Sequence, residues 1–191
     1  DLIIPFTLDP EIAVLLELTS VGMNAVETFK KHAHERRRTI GVWGNGNVGF
    51  VTALILRKAF PDAKLYVFGV QERKNRYFSF ADETFLINDI PEDLKLDHAF
   101  ECVGGRGSEA AINQIIDLIN PQGTINLMGV SENPVAINTR MVLEKGLTLL
   151  GNSRSNYDDF KKSVDFMEEY DDVRDYLSTI ISEIVDVKTT K

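Results

Sequence analysis

The chain reads as an α/β protein: a doubly wound, parallel sheet of six strands with helices on both faces. Three observations predict it. Short apolar runs alternate with segments of helical period, and parallel neighbours need such a crossover helix between them. The runs are mostly continuous rather than alternating, as strands buried on both faces require. A glycine-rich turn, Gly44-Asn45-Gly46-Asn47-Val48-Gly49, separates the first run from the first crossover helix. The bulk composition agrees. A chain of 191 residues is one domain, or one with an appendage, and 43% hydrophobic and 26% charged residues are near the globular average. Acidic residues outnumber basic ones 29 to 21 with no basic stripe, which speaks against nucleic acid as a partner. No run of about 18 apolar residues exists to cross a membrane. The single cysteine, Cys102, cannot form an internal disulfide or a cysteine-rich zinc site, and fits a reducing cytoplasm.

The elements follow in order. Asp9-Pro10-Glu11 opens a helix, with Asp9 as cap and Glu11 at the positive helix end. Ile12, Leu15, Leu16, Val21 and Val26 recur at helical spacing up to Phe29, and a basic run over 30–38 closes it. Thr39–Trp43 is the first strand. Asn47–Phe60 is a helix with Val48, Val51, Leu54 and Ile55 on one side. Pro61-Asp62 turns the chain into a second strand, Lys64–Phe68. Gln71–Phe80 is a polar helix and Thr84–Ile87 a third strand. His98–Val103 is the fourth strand, Ser108–Ile119 a helix, Thr124–Met128 the fifth strand and Leu147–Leu150 the sixth. Ser155–Met167 is a last helix, where Ser155 and Asp158 resemble a capping box. The organisation predicted is an entry helix and linker over 1–38, the sheet domain over 39–170, and an amphipathic segment over 171–191 whose place is open. The start, Asp1-Leu2-Ile3-Ile4-Pro5, has no initiator Met and no signal-peptide pattern, so a fragment of a larger two-domain enzyme is expected.

The glycine turn carries the chemistry. Between an apolar strand and an apolar-faced helix, Gly44 permits the tight turn, Gly46 lets a pyrophosphate approach the backbone, and Gly49 lets the helix pack close to the strand. The helix start then offers free amides and partial positive charge to a diphosphate. This is the fingerprint of a dinucleotide-binding Rossmann domain. An NAD site places an acid about 20 residues further on, at the end of the second strand, to hold the ribose 2′-hydroxyl. Here that position is Gly69, and Arg73, Lys74 and Arg76 follow. A 2′-phosphate is bound by such cations and repelled by a carboxylate, so NADP is expected over NAD. Glu72, within reach of a ribose hydroxyl, leaves NAD open.

Other signals are weaker. Tyr157 and Lys161 spell the short-chain dehydrogenase pair, but that family's glycine loop is absent. His32 and His34, two apart on a helix, point in different directions and make poor metal ligands. Cys102 is expected as a small buried hydrophobe rather than a nucleophile. Ser153, Arg154 and Ser155 follow the sixth strand near a helix start, where capping is expected over phosphate binding.

With these elements placed, the chain resembles the medium-chain dehydrogenase/reductase family of zinc alcohol and polyol dehydrogenases. The resemblance rests on Leu15–Val21, on IGVWGNGNVG, on AFECVGG and on INLMGVSE. Within the family, LMGVSENPVAINTRMVLEKGLTLLGNSRS is similar to the bacterial ribulose-5-phosphate reductases. The resemblance implies that Gly44, Gly46, Asn47, Val48 and Gly49 form the dinucleotide loop, and that Gly69 stands where NAD-dependent relatives keep the acid. It implies that Lys74, beside Arg73, is a basic position used by NADP-dependent relatives. Cys102, Val103 and Gly104 would lie along the cofactor, and Met128, Gly129 and Val130 would meet the nicotinamide carboxamide. Glu17 matches a Glu at the catalytic zinc of polyol dehydrogenases, although Leu18 replaces the usual Pro. The main zinc ligands would come from a catalytic domain that precedes this region in relatives. A homodimer paired through the sixth strand and a sugar-phosphate or polyol substrate are further implications. The activity so implied is NADPH-linked reduction of D-ribulose 5-phosphate. An NAD-dependent polyol dehydrogenase, a non-catalytic nucleotide sensor and a methyltransferase remain as alternatives; Gly69 argues against the last, which also needs an acid there.

Overall fold

The computed structural model describes residues 3–185; Asp1, Leu2 and residues 186–191 of the expected C-terminal segment lie outside the described residues. Six strands form one all-parallel sheet: β1 (Thr39–Trp43), β2 (Lys64–Gly69), β3 (Glu83–Leu86), β4 (Leu96–Glu101), β5 (Ile119–Leu127) and β6 (Thr148–Gly151). Their spatial order is β3-β2-β1-β4-β5-β6, with Val42 level with Val67 on one side and Phe100 on the other. This order reverses direction between β1 and β4, and the crevice outside the carboxyl ends of those strands is where such sheets bind ligands.

The helices are α1 (Pro10–Ala13), α2 (Leu16–His32), α3 (Asn47–Ala59), α4 (Glu72–Asn75), α5 (Ser108–Leu118), α6 (Thr139–Lys145), α7 (Tyr157–Glu169) and α8 (Asp171–Ser178). Among the described residues none is long and apolar enough to cross a membrane. The cores follow the pleat. Ile40, Val42, Leu65, Val67 and Phe100 face one side, under Met23, Val26 and Phe29 of α2, Phe50 and Leu54 of α3, and Met167 of α7. Trp43, Tyr66, Phe68 and Ala99 face the other, under Ala111, Ile112, Ile115 and Ile116 of α5. The period of two along each strand thus loads both faces. Buried Asn126 of β5 crosslinks the layers: its amide donates to the Ala25 carbonyl on α2 (2.9 Å) and accepts from Asn152.

Several predicted elements are redrawn. The entry helix is broken at Val14–Leu15, where the Leu15 amide bonds back to Ile12 (3.0 Å), a tightened turn, before α2 begins. Asp9 makes no side-chain cap there. The polar helix at 71–80 shrinks to α4 and a 3₁₀ turn over Arg76–Phe78, which lets buried Phe78 meet the Phe50 ring edge-on at 5.3 Å. The last predicted helix is capped by Asn156, not Ser155. Asn156 accepts from the Asp158 and Asp159 amides, and the Asp159 carboxylate returns the bond, so the capping box lies one residue later than read. Ser155 instead receives a hydrogen bond from the Ser20 hydroxyl (2.8 Å). The α6 helix was not foreseen; Asn138 caps it and Gly146, at φ 60°, ends it. The unassigned amphipathic segment contains α8, which buries Val173 and Leu177.

Candidate functional site

The glycine turn sits at the carboxyl end of β1, beside that of β4. Gly44 has φ 109°, a conformation side chains rarely adopt, and a Cβ there would stand 2.8 Å from the Cys102 carbonyl oxygen. A Cβ on Gly49 would lie 1.8 Å from the Gly44 carbonyl oxygen, so the first turn of α3 rests on the loop itself. Gly46 differs: a Cβ there would meet nothing within 4 Å. Its backbone borders open space, as a group approaching the loop requires. The first helical bond of α3 runs from the Phe50 amide to Gly46 (2.9 Å), which leaves the amides of Asn47, Val48 and Gly49 without intrahelical acceptors. A dinucleotide diphosphate fits this cradle.

Three hollows open around it. One, of about 360 Å³, is lined by Gly46, Asn47 and Lys74, with Tyr77 and residues 179–182 after α8 opposite. The second, of about 340 Å³, is mostly apolar. Gly44, Gly69 and Val70 meet Ile87, Val103 and Ala110 there, with Trp43 as a wall. The Trp43 indole stacks on Phe68 at 3.8 Å and donates to Gln114 (2.8 Å), so a flat apolar slot is held rigid. It suits an adenine. The third, of about 730 Å³, lies between Gly105-Arg106 and Val130–Val135.

At the end of β2, where an NAD site keeps an acid, stands Gly69, and the room a side chain there would need is filled by Asn45 from the glycine loop. The Asn45 amide donates to the Gln71 carbonyl (2.8 Å) and to Asn75 Oδ1 (2.9 Å). Lys74 faces the first hollow. Arg73 turns its guanidinium to Gln71 Oε1 (3.3 Å) and does not line it, and Arg76 donates to the Tyr77 hydroxyl (3.1 Å).

The segments after β4 and β5 are tied together by Glu101. Its buried carboxylate accepts from the amides of Val103 (2.9 Å), Gly104 (3.0 Å) and Gly129 (3.1 Å). That one anchor positions Cys102, Val103, Gly104, Met128, Gly129 and Val130 relative to each other. Val103 borders the apolar slot and Val130 is exposed in the third hollow. The Cys102 sulfur lies 3.7 Å from Met128 Sδ, and burial pushes the thiol up to about 12. It stays protonated at neutral pH and is no nucleophile.

Glu17 is exposed on α2. Among the described residues no three His, Cys, Asp or Glu side chains cluster as metal ligands. These residues do not by themselves make a zinc site. His98 and His34 lie at the opposite end of the sheet; each Nδ1 accepts a backbone amide, from Thr124 (3.1 Å) and Arg36 (3.2 Å). Lys161 pairs with Asp165 (2.8 Å) on the outer face of α7, away from the cradle. Arg154 has φ 60° and its carbonyl accepts from Asn24 (3.4 Å); the three residues 153–155 supply no cap.

Sequence reasoning missed Asn45 as a side chain, because it occupies a variable place in the glycine pattern. It also missed Glu101 and the 179–182 wall. The Glu was visible only as one polar residue ending an apolar strand.

A parallel 3-2-1-4-5-6 sheet with an open glycine cradle defines a dinucleotide-binding domain, and the family description "Zinc-binding dehydrogenase" matches residues 63–169. The chain belongs to the zinc-binding dehydrogenase family. It is 52% identical over 178 residues to the ribulose-5-phosphate reductase of Bacillus spizizenii, covering 93% of this chain and 52% of that protein. With ribulose-5-phosphate reductase 1 of Staphylococcus aureus it shares 50% identity over 186 residues, 97% of this chain and 54% of the relative. The crystal structure of S. aureus TarJ in complex with NADPH superposes with a TM-score of 0.87 at 52% identity, over 92% of this chain and 56% of that one. The chain therefore spans about half the length of the curated relatives it matches.

Proposed function

We propose that this chain is the cofactor-binding part of an NADP-linked oxidoreductase that reduces D-ribulose 5-phosphate to D-ribitol 5-phosphate, a precursor of ribitol-phosphate cell-wall or capsule polymers. The observation that carries this is the cradle: an unobstructed Gly46 at the start of α3, with Lys74 in the same hollow and no acid at the end of β2. Half-identity to reductases of this name supports the substrate, and half-identity to S. aureus TarJ, solved with NADPH, supports the cofactor.

The residues divide the work by position. The amides of Asn47–Gly49 hold the diphosphate, and Lys74 neutralises the 2′-phosphate. The slot walled by Trp43, Ile87 and Val103 takes the adenine. Glu101 sets the backbone of 102–104 and 128–130, which fixes where the nicotinamide ring lies and shields one of its faces. If bound there, NADPH would supply a hydride to the keto carbon of the sugar phosphate, with the proton for the carbonyl oxygen drawn from solvent and NADP⁺ left behind. The test is calorimetric titration of the intact protein with NADPH and NADH, then NADPH consumption with D-ribulose 5-phosphate. Tight NADPH binding and stoichiometric oxidation are expected. Inactivity with every pentulose phosphate, despite NADPH binding, overturns the reaction and favours a sensor.

The same reading makes the protein a cytoplasmic homodimer. The order of the sheet leaves β6 paired on one side only, with Leu149 and Leu150 half-buried. Two copies related by a two-fold axis continue the sheet through it. Sedimentation equilibrium is expected to give the dimer mass; a monomer at all concentrations rejects it.

A further inference from the structure

At the end of β2, the room that a ribose-binding acid needs is taken before any ligand arrives. A Cβ built on Gly69 falls 2.2 Å from both Cγ and Nδ2 of Asn45. The obstruction is not the loose tip of a long side chain. Asn45 is 7% exposed, and its amide is held by the Gln71 carbonyl and Asn75 Oδ1. Pushing it aside breaks two bonds and strands buried polar groups. The same two bonds join the second residue of the glycine loop to both ends of the turn that carries Arg73 and Lys74. Lys74 in turn shares a hollow with Gly46 and Asn47. One side chain thus excludes a carboxylate and sets a cation relative to the diphosphate cradle.

We infer that Asn45 is a specificity-determining residue: it selects the 2′-phosphorylated dinucleotide by filling the place of the acid and by holding the Lys74 turn. This rests on the NADP reading above and adds its cause. The preference is set from the glycine loop, and Gly69 is the consequence. It uses both arms of discrimination, a contact for one ligand and an obstacle to the contact that would favour the other.

The test uses the intact protein and calorimetric titration with NADPH and NADH. Four proteins form one cycle: wild type, Gly69→Asp, Asn45→Ala and the double variant. Gly69→Asp alone is expected to lose affinity for both cofactors, because the new side chain collides with Asn45. Asn45→Ala is expected to weaken NADPH about tenfold, equivalent to about 1.4 kcal/mol, and to leave NADH nearly unchanged. The double variant is expected to bind NADH more tightly than either single variant and to prefer it to NADPH. A single Gly69→Asp that already gains NADH, or a double variant no better than Gly69→Asp, overturns the proposal. A second cycle covers a Gly69→Asp variant that fails to fold. If Asn45 acts by holding Lys74, then Asn45→Ala added to Lys74→Ala costs NADPH no further affinity; additive losses overturn the holding role. Wild-type protein that prefers NADH refutes the cofactor reading itself. Wild-type preference for NADPH with independent variants refutes only the role of Asn45.

Discussion

Buried polar residues carry the sharpest consequences at the scale of single side chains. His98 is fully buried on β4, edge-on to Phe29 at 4.8 Å. Burial, with His34 and Arg37 nearby, pushes it from 6.5 down to about 4. Between those values the unfolded chain carries the extra proton, so stability is complete above pH 6.5 and falls as the pH drops towards 4, by about 3 kcal/mol in all. His98→Asn keeps an acceptor for the Thr124 amide and removes the titration. Urea midpoints across that range are expected to fall less steeply in the variant than in wild type. Asp97 works lower on the scale. Burial alone would raise it, but bonds from Asn120, the Arg38 amide and Arg36 hold it below the usual carboxylate range, and its contribution is lost only in stronger acid.

Among the elements, α2 shows how far the sheet domain extends beyond the strands that announce it. Phe29, near its end, is fully buried, with the Phe60 and Phe100 rings at 5.6 and 5.1 Å. Phe29→Ala is expected to cost about 3–5 kcal/mol of unfolding free energy in urea denaturation, the usual effect of emptying a large core site. The α6 helix is anchored by its last residue. Lys145 Nζ donates to the carbonyls of Ile116 (2.6 Å), Asp117 (3.0 Å) and Ile119 (3.0 Å), closing the end of α5 with a cation where the helix dipole is negative. Lys145→Met is expected to lower stability by about 1–3 kcal/mol, with local deuterium exchange rising at the end of α5. Helix boundaries were the least legible part of the sequence. At 71–80 and 155–157 the apolar spacing is right, but the turn type and the cap depend on which neighbour receives Phe78 or Ser155.

For the molecule as a whole, the crevice between β1 and β4 gathers residues 60 positions apart and more, and Trp43 reports on it. It is the only tryptophan of this chain and a wall of the apolar slot. Filling that slot is expected to quench Trp43 emission saturably. An unchanged spectrum at saturating NADPH would place the adenine elsewhere. Trp43→Ala is expected to weaken both dinucleotides to a similar degree, since adenine is common to them.

The amino-acid order alone determined the architecture and the cradle, because parallel strands, crossover helices and a diphosphate loop are local patterns of period and glycine spacing. It also determined that β2 ends on Gly69 rather than on an acid. Only the tertiary structure decided why. The volume at Gly69 belongs to a residue 24 positions earlier, and the loops after β4 and β5 are held together by one carboxylate on β4. Packing and hydrogen bonds between distant segments are set by distance in space, and no local pattern in the chain records them.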